Sequence, residues 1–560
     1  MSTRREGDCA PGISIRPIVN DGVRWFVETK AVGLACASGL LLLLAFPTFD
    51  IAWLAWIGLV PLLVALNGKS LKGAFLLSFM SGIAFYAGNF YGIWSGSVAA
   101  LKPIHFVILG TYFSLYWALW GLGLNWAGKR TGLSTSVIAS PLWVALEFAR
   151  SHLLFLSYPW LLLGHSQYLH PSLLQIASIT GVYGVTFLIV LTNAAIAEAV
   201  CSVRGWLSGA NPSLSVFGRS SVISLGSASI LLIASHFYGA FILSKGIEGE
   251  RKTIALVQGN IPKDHMWNIS YRQMILNRYG DLTKKATMQS TDLVIWPESA
   301  VPGDLVHEHG LQRTVSQVAI ETNTPLLVGT SQSAKFTNKK LRDKYYNSMV
   351  LINPDGQIAE EYRKMVLVPF GEYEPLNGVV QWPRVVVAST DSTIPGDRYT
   401  LFTIGGTTFG ALICWENIFP DHFREFVKRG ARFMVVATNE SWFGETAAPY
   451  QLLAISTFRA AENRVAIVRS ANTGISAFID PFGRITERLR GPKGKELFVE
   501  GVLVGEVALS QERTFYTRYG DLFAFLMIAA CFLIVFDIWR KKMGHHLAAG
   551  GRSMRKGECP

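Results

Sequence analysis

The stretch that decides the fold of this chain is Phe409-Gly410-Ala411-Leu412-Ile413-Cys414-Trp415-Glu416-Asn417. The apolar and small residues at its start predict a buried strand that ends at Cys414, so that the thiol faces the following loop. Cys414 is the only cysteine between Leu243 and Asp521. An unactivated buried cysteine is usually a small hydrophobic side chain, but a lone thiol at a strand end can be a nucleophile. The rest of the chain decides between these interpretations.

The composition predicts a membrane protein. Of the 560 residues, 50% are hydrophobic and 16% are charged, and the mean hydropathy is +0.30. Apolar runs of a length that can span a bilayer, on the order of 20 residues, lie at residues 31–49, 51–66, 73–94, 104–127, 135–155, 181–202, 222–243 and 521–539. These runs predict an α-helical membrane domain of about eight transmembrane helices, the last of them after a long polar block.

The positions of lysine and arginine predict the orientation in the membrane. Cationic side chains are concentrated in the segments that alternate spans place on one side, namely Arg4, Arg5, Arg16, Arg24, Lys30, Lys69, Lys72, Lys129, Arg130, Arg204, Arg219, Arg540, Lys541 and Lys542. The positive-inside rule puts this side, with both chain termini, in the cytoplasm. The net charge of +12 is then a cytoplasmic surplus that favours contact with anionic lipid over nucleic-acid binding.

This topology predicts the domain organisation: a cytoplasmic segment at 1–30, a membrane domain with seven helices at 31–245, an extracytoplasmic domain at 246–515, an eighth membrane helix at 516–540 and a basic cytoplasmic tail at 541–560. It also separates the cysteines. Cys414 alone lies outside the cytoplasm and the membrane, whereas the others fall in tails or spans, namely Cys9, Cys36, Cys201, Cys531 and Cys559. A thiol without a disulfide partner in its own compartment favours the nucleophile interpretation.

The extracytoplasmic block alternates strands with helices, which predicts an α/β sandwich. Short buried strands are predicted at 253–258, 293–296, 326–329, 349–352, 408–413, 433–437, 466–469 and 475–479. Helices are predicted at 270–289, 306–321, 421–429 and 451–464. Pro-Asp-Gly at 354–356 and Pro-Phe-Gly at 481–483 predict hairpin turns.

Three segments of this block carry reactive side chains. Pro297 ends a strand and turns out Glu298, Lys364 precedes a second carboxylate at Glu372, and Cys414 ends the third segment. A neutral thiol needs a base, for which Glu298 is suitable. Attack on a carbonyl gives an oxyanion, which an ammonium such as Lys364 and the backbone N–H of Trp415 can stabilise, each donor contributing roughly 3 kcal/mol. Each residue alone is more often structural or solvated, but the three together predict acyl chemistry.

The three reactive residues lie in the motifs Trp296-Pro297-Glu298-Ser299, Lys364-Met365-Val366-Leu367-Val368-Pro369-Phe370-Gly371-Glu372 and Ile413-Cys414-Trp415-Glu416. With these motifs the chain resembles the nitrilase superfamily, and within it the bacterial apolipoprotein N-acyltransferases. The resemblance covers nearly the whole chain. It extends to Phe46-Pro47, Trp143-Val144-Ala145-Leu146-Glu147, Tyr158-Pro159-Trp160 and Asn439-Glu440-Ser441-Trp442-Phe443-Gly444. The fold that it implies is a membrane domain joined to a periplasmic nitrilase-like αββα sandwich, in the bacterial inner membrane.

The resemblance also implies a reaction in two halves. Cys414 takes an acyl chain from a phospholipid, expected to be phosphatidylethanolamine, and the resulting thioester passes it to the α-amine of a diacylglyceryl-cysteine at a lipoprotein N-terminus. Glu298 is the implied base, Lys364 holds the oxyanion and Glu372 orients Lys364. The implied supporting or substrate-binding residues are Trp267, Trp415, Glu416, Asn439 and Trp442.

No cofactor, metal or nucleic acid is expected, because the sequence has no His/Cys cluster at ligand spacing, and a monomer is expected. Some positions depart from the family's pattern, namely Trp415, Leu452, Glu440 and Glu374. Within the membrane, Glu147 and Arg150 are spaced to pair on one helix face, with contact to a lipid head group as the alternative. Two other functions remain open: a membrane-anchored amidase or ester hydrolase that releases the acyl group to water, and a non-enzymatic scaffold.

Overall fold

The computed structural model describes residues 21–95, 103–208, 218–247, 249–266, 268–336, 344–383 and 393–554. The first part of the chain is helical. Its helices are α1 Asp21–Leu44, α2 Val60–Leu66, α3 Leu71–Ser95, α4 Pro103–Thr131, α5 Thr135–His152, α6 Pro171–Leu174, α7 Ala177–Thr180, α8 Val182–Leu207 and α9 Arg219–Ser244.

Helices long and apolar enough to cross a membrane are found within the described residues at Leu71–Tyr91, Val107–Thr131, Val182–Leu207, Arg219–Ser244 and Leu522–Met543. They correspond to the spans predicted at 73–94, 104–127, 181–202, 222–243 and 521–539. The run at 31–49 lies partly in α1, which ends at Leu44, and the run at 51–66 forms a 3₁₀ turn followed by the short α2. The run at 135–155 forms α5, which contains Pro141 and buried charged residues. The structure therefore supports a membrane part of several apolar helices, and the count of eight stays a prediction.

The apolar helices differ in how much protein surrounds them. In α8, 67% of the most apolar window is buried inside the protein, against 11% in α9 and 6% in Leu522–Met543. Large apolar side chains project outward from these last two helices, namely Phe237, Phe241, Phe532 and Phe536. In a chain that spans a bilayer, such a surface faces lipid. Helix α8 is thus central in the bundle, while the last two helices lie at its edge.

The second part of the chain is an α/β domain. Its helices are α10 Lys263–Met266, α11 Arg272–Ala286, α12 His309–Thr322, α13 Pro420–Arg429, α14 Ala448–Asn463 and α15 Phe515–Tyr519, followed by the C-terminal helix α16 Leu522–Met554. Its strands are β1 Arg251–Gln258, β2 Leu293–Ile295, β3 Val301–Asp304, β4 Leu326–Ser333, β5 Tyr345–Ile352, β6 Ile358–Arg363, β7 Leu401–Ile404, β8 Thr407–Ile413, β9 Phe433–Thr438, β10 Ala466–Ala471, β11 Ala477–Ile479, β12 Ile485–Arg488 and β13 Gly501–Ala508.

The strands form two sheets that pack face to face. The first has the order β13-β1-β2-β4-β5-β6, with β3 beside β4, and the second has the order β12-β11-β10-β9-β8-β7. Apolar side chains of both sheets form one core, for example Leu256, Leu327, Ala411 and Val435. Helices α11 and α12 cover the outer face of the first sheet, and α13 and α14 cover that of the second. The predicted αββα sandwich is therefore confirmed.

Helix α14 lies between the sandwich and the membrane helices. Its residues Leu453 and Ala460 pack against the second sheet, whereas Leu452, Ile455 and Phe458 pack into the core of the helical part. The helix is buried along nearly its whole length, since it contacts the second sheet and the helical part at the same time. The active face of the sandwich is thereby held against the membrane part.

The chain enters and leaves the sandwich at one place. Strand β1 follows α9, and it pairs antiparallel with β13, with Arg251 opposite Ala508. The N–H of Leu509 donates to the carbonyl of Glu250 at 2.9 Å, which extends the pairing towards the membrane helices. The two connections between the helical part and the sandwich therefore run side by side.

Candidate active site

Cys414 lies at the carboxyl end of β8, where the strand passes into a 3₁₀ turn at Cys414–Ile418. Its φ is +55°, a left-handed conformation that costs energy for a residue other than glycine and that is often found at functional sites. Strand β8 is parallel to β9, so the turn after β8 lies beside the residues that follow β9. The backbone conformation turns the thiol out of the sheet and towards this edge.

Glu298 follows β2 and is 7% exposed. Its Oε1 accepts a hydrogen bond from Asn347 Nδ2 at 2.7 Å, and its Oε2 accepts one from the backbone N–H of Asn439 at 2.7 Å. Two donors on opposite oxygens fix the plane of the carboxylate. Pro297 cannot donate to the sheet, which accounts for the end of β2 at this point.

Lys364 follows β6 and is 1% exposed. Its Nζ donates to Glu372 Oε1 at 2.7 Å and lies 3.9 Å from Glu298 Oε1. Glu372 Oε2 accepts from the N–H of Val368 at 2.8 Å, which ties the loop after Lys364 to the ion pair. The ammonium is thus held between two carboxylates, as a fixed positive charge in a buried site.

The charges at this site alter one another's proton affinity. Burial and, to a smaller extent, nearby Glu298 raise the pKa of the Cys414 thiol to about 12, against the opposing effect of Lys364. Burial also raises the pKa of Glu298, against the effect of Lys364. Burial alone would lower the pKa of Lys364, but Glu372 and Glu298 outweigh it and raise that pKa. The site therefore holds an ammonium and a neutral thiol beside a carboxyl group of increased basicity.

Replacing Asn347 with leucine tests how Asn347 affects the pKa of Glu298, the predicted base. The Asn347 hydrogen bond lowers the pKa of Glu298, so its loss raises that pKa further. With Glu298 as the predicted base, acyl-enzyme formation is expected to fall as the pH drops through the pKa of Glu298, and in Asn347→Leu this acid limb of the pH profile is expected to move to higher pH. Single-turnover rates across a pH series measure the shift. Asn277→Leu, an exposed change on α11, is the control, and an unmoved limb in Asn347→Leu would contradict the assignment.

Glu416 lies behind the reactive groups and is fully buried. Its Oε1 accepts from the Tyr362 hydroxyl at 2.8 Å and from the N–H groups of Met365 and Val366 at 2.7 and 2.9 Å. Its Oε2 accepts from the N–H of Ile413 at 2.8 Å. One carboxylate thus binds both the loop that follows Lys364 and the strand end that carries Cys414. Glu416 is placed to support the site rather than to touch substrate.

The remaining predicted residues lie around the edge of the site. Trp415 packs edge-on against Tyr158 with ring centroids 5.5 Å apart, so the turn after Cys414 contacts the helical part of the chain. Trp442 is 38% exposed, and Lys263 Nζ lies 3.9 Å from its ring centroid. Asn439 contributes its backbone N–H to Glu298. Trp267 lies outside the described residues.

The positions that depart from the family's pattern have structural contacts. Glu440 accepts hydrogen bonds from Arg469 and from the N–H of Ile475 at 3.3 Å. Leu452 is buried in the core that α14 shares with the helical part. Glu374 has a polar or charged interaction in the structure. None of these departures replaces a reacting group.

The predicted pairing of Glu147 with Arg150 is not seen as a direct ion pair in the described part of the chain. Glu147 accepts from Trp143 Nε1 at 3.0 Å, from the N–H of Leu163 at 2.8 Å and from the Thr186 hydroxyl at 2.9 Å. Arg150 donates to the Tyr86 hydroxyl and to the carbonyl of Trp160 at 3.1 Å. The hydrogen-bond partners of both charges are neutral groups, and all of those named except Trp143 come from other segments of the chain.

Sequence reasoning missed Asn347 and Tyr362. Asn347 lies two residues before the strand predicted at 349–352, and no pattern in the local sequence marks its side chain as part of the site. Tyr362 is fully buried and donates its hydroxyl to Glu416. Nothing in the local sequence distinguishes it from a core aromatic residue.

The fold and the site define a member of the carbon–nitrogen hydrolase class. A family model described as carbon-nitrogen hydrolase matches residues 253–516, and one described as apolipoprotein N-acyltransferase N-terminal domain matches residues 38–195. The chain is 37% identical over 525 residues to the apolipoprotein N-acyltransferase of Geobacter metallireducens, covering 92% of this chain and 96% of the relative. It is 30% identical over 532 residues to that of Chlorobaculum tepidum, covering 88% and 94%. The chain belongs to the apolipoprotein N-acyltransferase family.

Among solved structures, an amidase from Nesterenkonia sp. is similar to part of the chain. It is 19% identical, with a TM-score of 0.36, and the match covers 49% of this chain and 95% of the amidase.

Proposed function

We propose that this protein transfers an acyl chain from a membrane phospholipid, through a thioester on Cys414, to the α-amine of the diacylglyceryl-cysteine at a lipoprotein N-terminus. The observation that carries the proposal is the arrangement of Glu298, Lys364 and Cys414 on a sandwich that is packed against apolar helices. Membership of the family supports the choice of substrates. Phosphatidylethanolamine is the proposed donor.

The first half-reaction forms the acyl-enzyme. The Cys414 S–H proton passes to Glu298 as sulfur attacks the ester carbonyl carbon of the phospholipid. The Lys364 ammonium and the backbone N–H of Trp415 stabilise the oxyanion. Collapse breaks the bond to the glycerol oxygen, which takes the proton from Glu298 and leaves as a lysophospholipid. The product on the enzyme is a thioester.

The second half-reaction consumes the thioester. The neutral α-amine of the acceptor attacks the thioester carbonyl, and Glu298 takes the proton that the amine loses. The same two donors hold the new oxyanion, and collapse expels the Cys414 thiolate, which is reprotonated by Glu298. An α-amine has a pKa of about 7.7–8.0, so a useful fraction is neutral at pH 7. The product is an amide, and the enzyme returns to its starting state.

Other residues are proposed to support these steps. Glu372 orients Lys364 through the 2.7 Å hydrogen bond. Glu416 fixes the loop after Lys364 relative to the strand end that carries Cys414. Trp415 is proposed to contact substrate, since its buried Nε1 has no hydrogen-bond partner within the residues that the structure describes. Trp442 is proposed to flank the entrance for lipid, and Trp267 stays a predicted supporting or substrate-binding residue. A monomer without cofactor suffices for this mechanism.

The proposed location is the bacterial inner membrane, with the sandwich at 246–515 in the periplasm and both termini in the cytoplasm. The distribution of lysine and arginine among the connecting segments supports this orientation. The proposed boundaries of the membrane segments are 31–245 and 516–540, and 1–30 and 541–560 are proposed as the cytoplasmic ends. A periplasmic site would face the leaflet from which both lipid substrates are presented.

The test combines labelled phosphatidylethanolamine, purified protein in lipid and a diacylglyceryl-cysteine peptide. Transfer predicts that the acyl label appears on the peptide and that lysophospholipid accumulates in equal amount. Label that appears only as free fatty acid would show a hydrolase. Absence of label from both the protein and the peptide would show a scaffold without acyl chemistry.

A further inference from the structure

Three side chains that the proposed acyl transfer does not use meet where the sandwich joins the membrane helices. His152 is the last residue of α5, Asp421 is in the first turn of α13, and Asp521 directly precedes α16. His152 Nε2 lies 3.2 Å from Asp421 Oδ2 and 3.8 Å from Asp521 Oδ2. One ligand atom from each residue lies within 4.8 Å of the other two.

Each of these side chains is held by a second contact on its other atom. His152 Nδ1 lies 2.9 Å from the carbonyl of Phe148. Asp421 Oδ1 accepts from Arg424 Nη2 at 2.9 Å, and Asp521 Oδ1 accepts from the Tyr516 hydroxyl at 2.8 Å. Outer contacts of this kind orient the ligands of metal sites. They leave Nε2 and the two Oδ2 atoms directed at one another.

The three atoms that face one another, His152 Nε2 and the two Oδ2 atoms, form a site suited to a cation. A carbonyl can only accept, so the Phe148 contact places the Nδ1 hydrogen of His152 on that side, and the Nε2 of a neutral imidazole presents a lone pair to two carboxylates. A proton on Nε2 would bond Asp421 at 3.2 Å but would leave Asp521 Oδ2 at 3.8 Å, beyond hydrogen-bond length. The Asp521 side chain is only 4% exposed, and its Oδ2 has no hydrogen bond within the described residues. A divalent ion would satisfy all three atoms.

We propose that His152, Asp421 and Asp521 bind one divalent transition-metal ion of the zinc class. Zinc accepts nitrogen and carboxylate ligands at about 2.0–2.2 Å, which places the ligand atoms of a tetrahedral site about 3.3 Å apart. His152 Nε2 lies 3.2 and 3.8 Å from the two Oδ2 atoms, and all three ligand atoms lie within 4.8 Å of one another. Movements of up to about 1.5 Å would bring them to this geometry. Solvent reaches the remaining position, since the side chains of His152 and Asp421 are 34% and 47% exposed.

The ion would join three elements that are distant in the sequence. Helix α5 belongs to the membrane part, α13 to the sandwich and α16 to the C-terminal span. His422, next to Asp421, lies 3.3 Å from Glu416 Oε1, the carboxylate behind Cys414. A metal ion bound by these three residues would therefore hold the sandwich on the membrane helices, close to Glu416. The site is independent of the proposed acyl transfer.

The test uses the full-length protein in detergent, stripped with a chelator and dialysed. Titration with Co²⁺ is expected to give a visible absorption band of tetrahedral type, with one equivalent more bound by the unaltered protein than by His152→Ala or Asp521→Asn. Zn²⁺ is expected to displace the Co²⁺ and to raise the melting temperature by about 3 °C, an increase that both variants lose. Asp421→Asn, on the exposed side of the site, repeats the measurement should the other variants fold poorly.

His236→Ala is the matched control. His236 lies on the membrane helix α9, and its Nδ1 also contacts a carbonyl one turn earlier, that of Leu232, at 2.9 Å. This control is expected to keep the extra equivalent and the increase in melting temperature. Equal metal binding by the unaltered protein and His152→Ala would overturn the proposal. A melting temperature that falls in His152→Ala but does not respond to metal in the unaltered protein would also overturn the proposal. In that case a protonated His152 imidazole, and not a metal ion, is the cation between the two carboxylates.

Discussion

Replacing Cys414 with serine is expected to abolish acyl transfer, with a loss of at least about three orders of magnitude in rate. A serine hydroxyl is a weaker nucleophile here than the thiol, and an oxygen ester is attacked by an amine far less readily than a thioester. The fold should be retained because the two side chains have nearly the same shape. Intact-protein mass spectrometry after incubation with phospholipid measures the acyl-enzyme, and hydroxylamine sensitivity identifies it as a thioester.

Cys531→Ser is the matched control for this experiment. Cys531 lies on α16, so the same atom is exchanged away from the sandwich. It should form the acyl-enzyme and transfer label at the rate of the unaltered protein. Transfer by Cys414→Ser at a similar rate would show that the reaction does not pass through this thiol.

Replacing Glu298 with glutamine is expected to slow acyl-enzyme formation by about 10²–10⁴-fold. The thiol has a pKa of about 12 and does not ionise at neutral pH without a base. Glutamine has nearly the same shape but cannot take the proton. Its amide group must also face a hydrogen-bond donor, either Asn347 Nδ2 or the Asn439 N–H, which costs about 1–3 kcal/mol of stability. Single-turnover acylation and thermal unfolding measure the two effects.

The pH dependence separates loss of the base from general damage. In the unaltered protein the acylation rate is expected to show an acid limb, that is, to fall at low pH when Glu298 is protonated. In Glu298→Gln that limb should vanish, and the residual rate should rise with pH as the thiol ionises directly. Glu361→Gln, on β6 near Lys364, removes a carboxylate that contacts Arg363 instead, and it should keep the original profile. A Glu298→Gln variant with an unchanged acid limb would exclude Glu298 as the base.

Glu298 and Cys414 could be placed from the sequence because each follows a short buried strand, whereas Lys364 follows the edge strand β6. The continuous apolar run before Cys414 predicts where β8 ends, and parallel strands bring their carboxyl ends to one edge. Edge strands were harder to predict. Strand β6, Ile358–Arg363, has exposed or half-buried polar residues at most positions, so its sequence lacks the apolar pattern on which strand prediction depends.

Contacts between distant segments could not be predicted in this way. The function of Glu416 as an anchor depends on N–H groups at Met365 and Ile413, which come together only when the two sheets pack. The same holds for His152, Asp421 and Asp521. The sequence spacing of these three residues matches no metal-ligand motif. For this reason the sequence alone led to the expectation that the protein binds no metal.

The side-by-side pairing of β1 with β13 has a consequence for how such a protein can arise. A domain whose two ends emerge next to each other can be accommodated in a loop between two helices without disturbing the packing of either part. Here the host loop runs from α9 to α16, and both of these helices lie at the edge of the bundle. The connectivity of this chain is therefore compatible with the insertion of the sandwich, as one piece, between two helices of the membrane part.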